Sequence, residues 1–126
     1  MNIPKELKYT NDHEWIRQDD DQHVTVGITD YAQGELGDIV FVEIESEDEE
    51  LDNGETFGSV EAVKTVSDLF MPVSGTVVKI NENLNEDPST VNKDPYGKGW
   101  MIQIKISDKS ELEELMSAEQ YEELVS

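Results

Sequence analysis

The chain has 126 residues, enough for one domain with a real hydrophobic core. Nine basic residues against thirty acidic ones give a net charge of −21, which argues against nucleic acid or an anionic membrane as a partner. The sequence contains no cysteine, which excludes disulfides, thiolate catalysis and a cysteine-based zinc site, and no apolar run reaches membrane-spanning length.

Two readings of the acidity stand side by side: a surface suited to basic protein partners, or the general habit of a salt-adapted proteome. The stretch Met1 to Glu6 has neither an apolar signal region nor Arg-rich transit character, so a cytoplasmic location is expected.

Tyr9 to Arg17 is expected to form a first strand. Gln18 to Gln22 is a polar turn, and His23 to Thr29 returns as a second strand with Val24, Val26 and Ile28 on one face. Asp19, Asp20 and Asp21 lie in that turn, but the alternating spacing, glycine and glutamate of a calcium loop are missing, so a solvated turn is expected. Thr29 can cap a short helix that Gly37 ends. Ile39 to Ile44, almost wholly apolar, is expected to be a buried strand. Glu45 to Asp52 has the composition of a solvated loop, with docking of a basic partner as the sharper alternative. Asn53-Gly54 marks a turn. Thr56 to Val63 and Val66 to Phe70 are expected to be the two arms of a hairpin, and Pro72 bends the chain after it. Ser74 to Ile80 is a further strand, and Asn81 to Tyr96 a polar, proline-containing connection. Trp100 to Ile106 is the last strand, with Ile102, Ile104 and Ile106 on one face.

The period then changes from two to that of a helix. Ser110-Glu111-Leu112-Glu113 and Ser117-Ala118-Glu119-Gln120 each fit a capping box, and each is followed by apolar residues at helical spacing. Short strands with frequent turns and terminal helices predict a mainly β fold, a sandwich or flattened barrel with a short internal helix and C-terminal helices. A single domain over residues 1–126 is expected, with about 107–126 a helical addition.

Lys64 lies between the two arms of the expected hairpin. An exposed lysine is most often only a solvated charge. An isolated, flexible amine on a rigid support is also what covalent attachment of a cofactor requires. The string Ser59-Val60-Glu61-Ala62-Val63-Lys64-Thr65-Val66-Ser67-Asp68 resembles the lipoylation segment of glycine cleavage system H proteins. The blocks Tyr9-Thr10-Asn11-Asp12-His13-Glu14-Trp15, Gly27 to Gln33, Leu36 to Val40, Pro72-Val73-Ser74-Gly75 and Asp94 to Met101 are similar to the same family and stand in its order.

The resemblance implies a lipoyl-domain-like barrel-sandwich of two antiparallel sheets with lipoate held covalently on Lys64. It implies a lipoyl carrier that takes an aminomethyl group from a pyridoxal-phosphate glycine decarboxylase to a tetrahydrofolate-dependent aminomethyltransferase. Dihydrolipoamide dehydrogenase would then re-oxidise the dithiol. A lipoate ligase or lipoyl transferase would load it, with Glu61 helping recognition. Acidic groups of the two matching segments, Glu14 and Asp68 and more weakly Asp12, would hold the cationic amine. Some family members have histidine where this chain has Tyr31. A carrier needs no catalytic set, since the cofactor supplies the chemistry. None is visible here: the only histidines are His13 and His23, and His13 between Asp12 and Glu14 is expected to be structural, because a strand sends neighbours to opposite faces. No metal site is expected.

Three rivals remain open. A biotin carrier would use the same fold, but its lysine is usually flanked by methionines, where this chain has Val63 and Thr65. A lipoyl relay donating to 2-oxoacid dehydrogenases cannot be separated from an H protein by sequence. A small enzyme built on Asp12-His13-Glu14 is the third.

Overall fold

Strands that are apolar on one face must stack to hide it, and here two antiparallel sheets do so. The computed structural model describes residues 2–126. In chain order the elements are β1 (Lys8–Tyr9), β2 (Glu14–Gln18), β3 (His23–Ile28), α1 (Asp30–Leu36), β4 (Ile39–Glu43), β5 (Glu50–Leu51), β6 (Thr56–Ala62), β7 (Val66–Phe70), β8 (Gly75–Ile80), α2 (Asn83–Glu86), α3 (Thr90–Lys93), β9 (Ile102–Ile106), a 3-10 turn (Lys109–Glu114) and α4 (Ala118–Val125). Six strands form one sheet in the order β1-β2-β3-β9-β8-β5, and three form the other in the order β4-β6-β7. Both are antiparallel throughout, as expected of a mainly β sandwich.

The alternation of β3 and β9 fills the space between the sheets. Val24 pairs with Ile104 and Val26 with Ile102, and they meet Val42, Val60 and Leu69 of the smaller sheet in one core. Each such side chain contributes roughly 1.5–3 kcal/mol on full burial. A second cluster, with Leu7, Tyr9, Trp15, Ala118 and Tyr121, docks α4 on the larger sheet. The Tyr121 ring stacks on Tyr9 at 4.8 Å, and its hydroxyl lies 2.7 Å from Thr29 Oγ1 and 2.9 Å from His13 Nδ1. Thr29 Oγ1 also accepts from the Ala32 N–H and so caps α1. Docking of α4 therefore helps fix where α1 begins.

Several elements differ from the sequence expectations. The first strand is broken: residues 10–13 form a turn in which Thr10 Oγ1 accepts from the N–H groups of Asp12 and Glu14, and His13 takes a positive φ of 66°. β4 is not buried along its length. A bulge between Ile39 and Phe41 turns both Val40 and Phe41 to solvent, and β4 is an edge strand covered on one face only. Within the acidic stretch 45–52, Glu50 and Leu51 pair with Thr76 and Gly75. The connection from Asn81 to Tyr96 holds two single-turn helices, because Leu84 and Val91 bury themselves in the core. Of the two expected capping boxes, only that of Ser117 and Gln120 forms. Asp108 takes the first position, accepting from the Ser110 N–H, and the segment coils as a 3-10 turn.

Gly27 shows how tightly the strand carrying Glu14 is held. It faces Trp15 in the β2–β3 register, and a Cβ there would stand 2.7 Å from the indole. That indole is fully buried, and its Nε1 donates to the Pro95 carbonyl at 2.9 Å. Gly27→Ala should therefore cost roughly 1–3 kcal/mol of stability through overpacking, read as a lower urea midpoint at unchanged slope. An unchanged midpoint would mean that the indole can move aside.

Candidate functional site

β-branched residues on both sides of Val63-Lys64-Thr65 drive the chain up β6 and down β7, leaving the lysine at the turn. Ala62 N donates to Thr65 O at 2.7 Å, closing the hairpin, and Val63 N donates to Asp38 O at 3.1 Å, tying the tip to the segment after α1. Lys64 is exposed and makes no ion pair among the described residues. Its stem passes over Gly37, the C-cap of α1: a Cβ built on that glycine would lie 3.6 Å from Lys64 Cε. With φ at +80°, Gly37 occupies backbone space where side chains are rare.

Beside this tip runs a cavity of about 220 Å³ between α1 and β7. Leu36 and Ser67 line it on the side of the hairpin tip, being neighbours in sequence of Gly37 and of the lysine turn. Ile28, Ala32, Leu36 and Leu69 give it apolar walls; Asp12, Glu14, Glu35 and Asp68 give it carboxylates. His13 and Tyr31 also line it, their rings 4.9 Å apart.

Glu14 is the unusual group in this cavity. It opens β2 and is only 2% exposed. Its Oε2 accepts from the Phe70 N–H at 2.9 Å, while Oε1 is buried with no partner among the described residues. Burial pushes its pKa up to about 8, against the smaller downward pull of the Phe70 hydrogen bond. Glu14 is thus largely protonated at neutral pH. An entering cation would favour the carboxylate form and could take the open oxygen.

The expected acids divide by position. Asp12 comes from the 10–13 turn, Glu14 from the start of β2 and Asp68 from β7, and all three reach the same cavity. Glu61 does not: it lies on β6 in register with Phe41 and Val66, on the outer face of the smaller sheet. His13 packs structurally through Tyr121, and burial holds its pKa below the usual value, so its ring is neutral at pH 7. Asp12 and His13 lie in a turn rather than a strand, and Glu14 begins β2. Among the described residues no group of His, Asp and Glu side chains is arranged to hold a metal. Sequence reasoning passed over Glu35. Its helical spacing from Tyr31, four residues on in α1, was the available signal.

Because the folded pKa of Glu14 lies above the usual 4.5, the native state binds the proton more tightly than the unfolded chain. This favourable contribution is complete below about pH 4.5 and is lost as pH rises through about 8. Glu14→Gln, always neutral, should gain on wild type by roughly 1.4 kcal/mol per pH unit across that window. Parallel stability–pH curves for the two proteins would show that Glu14 is not held protonated.

Comparison with known proteins gives a consistent result. The family model described as glycine cleavage H-protein matches residues 7–126. A glycine cleavage system H protein of Staphylococcus saprophyticus is 58% identical over 125 residues, covering 99% of this chain and 98% of its own length. That of Staphylococcus carnosus is 54% identical over the same coverage. The crystal structure of a glycine cleavage system H protein from Mycobacterium marinum superposes with a TM-score of 0.86 at 40% identity, covering 97% of this chain and 98% of that one. With a lysine-tipped hairpin on a two-sheet sandwich and relatives matching almost end to end, the chain belongs to the glycine cleavage H-protein family, lipoyl carriers that are not themselves enzymes.

Proposed function

We propose that this protein carries lipoate as an amide on Lys64 and shuttles an aminomethyl group from glycine decarboxylase to aminomethyltransferase. The reduced dithiol then passes to dihydrolipoamide dehydrogenase. The observation that carries this reading is an exposed lysine beside a cavity that contains a buried, half-satisfied carboxylate. The lining suits the group: aliphatic walls for an acyl chain, and an orphaned oxygen at Glu14 for an amine. When bound, lipoate supplies the redox and group-carrying chemistry.

The residues of the chain supply presentation and shelter. The hairpin presents Lys64 to solvent, so that each partner meets it at high effective concentration. Glu14 accepts a cation at Oε1 and gives up its proton on doing so, which makes docking stronger as pH rises toward about 8. Asp68, exposed on β7, and Asp12 in the 10–13 turn add negative charge along the cavity. Glu61, in register with the strand residue two after the lysine, orients the enzyme that attaches lipoate. The absence of cysteine spares the dithiol exchange with the chain's own thiols. A cytoplasmic site of action fits that composition, and no helix of the described residues is long and apolar enough to cross a membrane.

Two experiments check the reading. Peptide mass mapping should place a single lipoyl amide on Lys64 and on no other lysine. Lys64→Arg should remain folded yet abolish glycine cleavage, and in the same loading assay Glu61→Gln should take lipoate more slowly than wild type. Undiminished glycine cleavage by Lys64→Arg would overturn the carrier reading. The second experiment loads the protein with aminomethyl groups and follows ammonia release without tetrahydrofolate. Hydrogen bonds to charged groups contribute about 1.5–3 kcal/mol each. Glu14→Gln and Asp68→Asn should each therefore raise the rate roughly ten-fold. Wild-type rates in both folded, lipoylated variants would rule out the docking role.

A further inference from the structure

α1 forms one wall of the cavity beside Lys64, and a side chain from the polar connection after β8 holds its C-terminal end. That side chain is Asn92 of α3, whose neighbour Val91 is fully buried in the main core. Asn92 Nδ2 donates to the Gly37 carbonyl at 2.9 Å and to Gln33 Oε1 at 3.0 Å, and its Oδ1 accepts from the Ile39 N–H at 2.9 Å. A backbone carbonyl must meet the amide nitrogen and a backbone N–H the amide oxygen, so the orientation of the group is fixed. Gly37 and Ile39 stand on either side of Asp38, whose carbonyl accepts from the Val63 N–H next to the lysine. Ile39 also faces Ala62 in the β4–β6 register, Gly37 lies under the lysine stem, and Leu36 lines the cavity. A helix end needs partners for its last carbonyls, and the Gly37 bond supplies one. Capping alone does not account for the set, because Ile39 lies beyond the C-cap of α1.

We infer that Asn92 is a positioning residue: it fixes residues 37–39, and through the Asp38 carbonyl it sets the lysine hairpin over the mouth of the cavity. The inference rests on Lys64 being the lipoylated lysine and on the cavity being the shelter of its arm. A tethered group docks well only where its anchor stands at the right distance from the site. The bond between Ala62 and Thr65 closes the hairpin but does not place it, whereas the Asp38–Val63 bond joins its tip to the wall of the cavity. Asn81 is a matched contrast. Its Nδ2 donates to the Lys98 and Trp100 carbonyls at 2.9 and 2.8 Å, and its Oδ1 accepts from the Asn83 N–H at 3.3 Å. None of these groups lines the cavity. Asn81 therefore makes the same kinds of bond as Asn92 without touching the hairpin or the wall.

The test compares full-length wild type with Asn92→Ala and Asn92→Asp. The aspartate variant keeps the size and the acceptor for Ile39 and loses only the two donated bonds. In the apoprotein, amide hydrogen exchange followed by NMR should be roughly ten-fold faster at Val63 in both variants, beyond any change in the β3 amides, because a local anchor is lost and not the core. In the fully lipoylated protein loaded with aminomethyl groups, ammonia release without tetrahydrofolate should also rise by about ten-fold. In that reaction water replaces the amine on the methylene carbon: a C–O bond forms, the C–N bond breaks, and ammonia leaves with the bonding pair. Asn81→Ala should lower the urea midpoint as much as Asn92→Ala does, yet keep wild-type exchange at Val63 and wild-type ammonia release. Folded Asn92 variants with wild-type exchange at Val63, or with wild-type release, would overturn the positioning role. Release from Asn81→Ala as fast as from the Asn92 variants would reduce that role to stability and overturn it too. A wild type that takes no lipoate on Lys64 would overturn the carrier reading, and this inference with it.

Discussion

The hydrogen bond from the Phe70 N–H to the Glu14 carboxyl joins the two sheets of this molecule. β7 is an edge of the smaller sheet, and edge strands leave backbone groups unpaired. Here a side chain from β2 of the larger sheet reaches across to satisfy one of them. The arrangement leaves a carboxyl group in a place water barely reaches, and leaves its second oxygen without a partner. A fully apolar residue could fill that position without the desolvation cost. What Glu14 adds is a protonatable group inside the cavity beside the lysine hairpin.

The architecture separates rigid support from an exposed lysine tip. The core between the sheets and the tyrosine stack under α4 hold the frame, and α1 is capped through Thr29 on the same network that docks Tyr121. Among the described residues the hydrogen bonds that anchor the lysine are made by its backbone neighbours, one closing the hairpin and one to the Asp38 carbonyl. Its side chain is exposed to solvent while its backbone is tied down.

Charge and apolar exposure act at different ranges. A net charge of −21 attracts positive charge from a distance, although salt confines each charge to roughly 8 Å at physiological strength. Close contact depends on what stands next to the lysine, and there the surface is valine and phenylalanine set among glutamates. The strand register places Phe41, Glu61 and Val66 in that row. A one-residue slip would have turned them into the core and Val42 and Val60 out of it.

By itself the sequence was enough to determine the two-residue period of the strands, the hairpin with Lys64 at its turn, the Thr29 and Gly37 caps of α1, and the Ser117 capping box, because each depends on neighbours within a few residues. It also carried the family blocks, one of which surrounds Lys64. It misread what depends on long-range packing. Val40 and Phe41 look like core residues until β4 proves to be a bulged edge strand, and the polar stretch after Ile80 hides two helical turns that only Leu84 and Val91 explain. Glu14 could be singled out in sequence, but its burial, its bond to a residue 56 positions away and its raised pKa could not. Those properties come from one sheet closing over the other, and tertiary structure alone decides them.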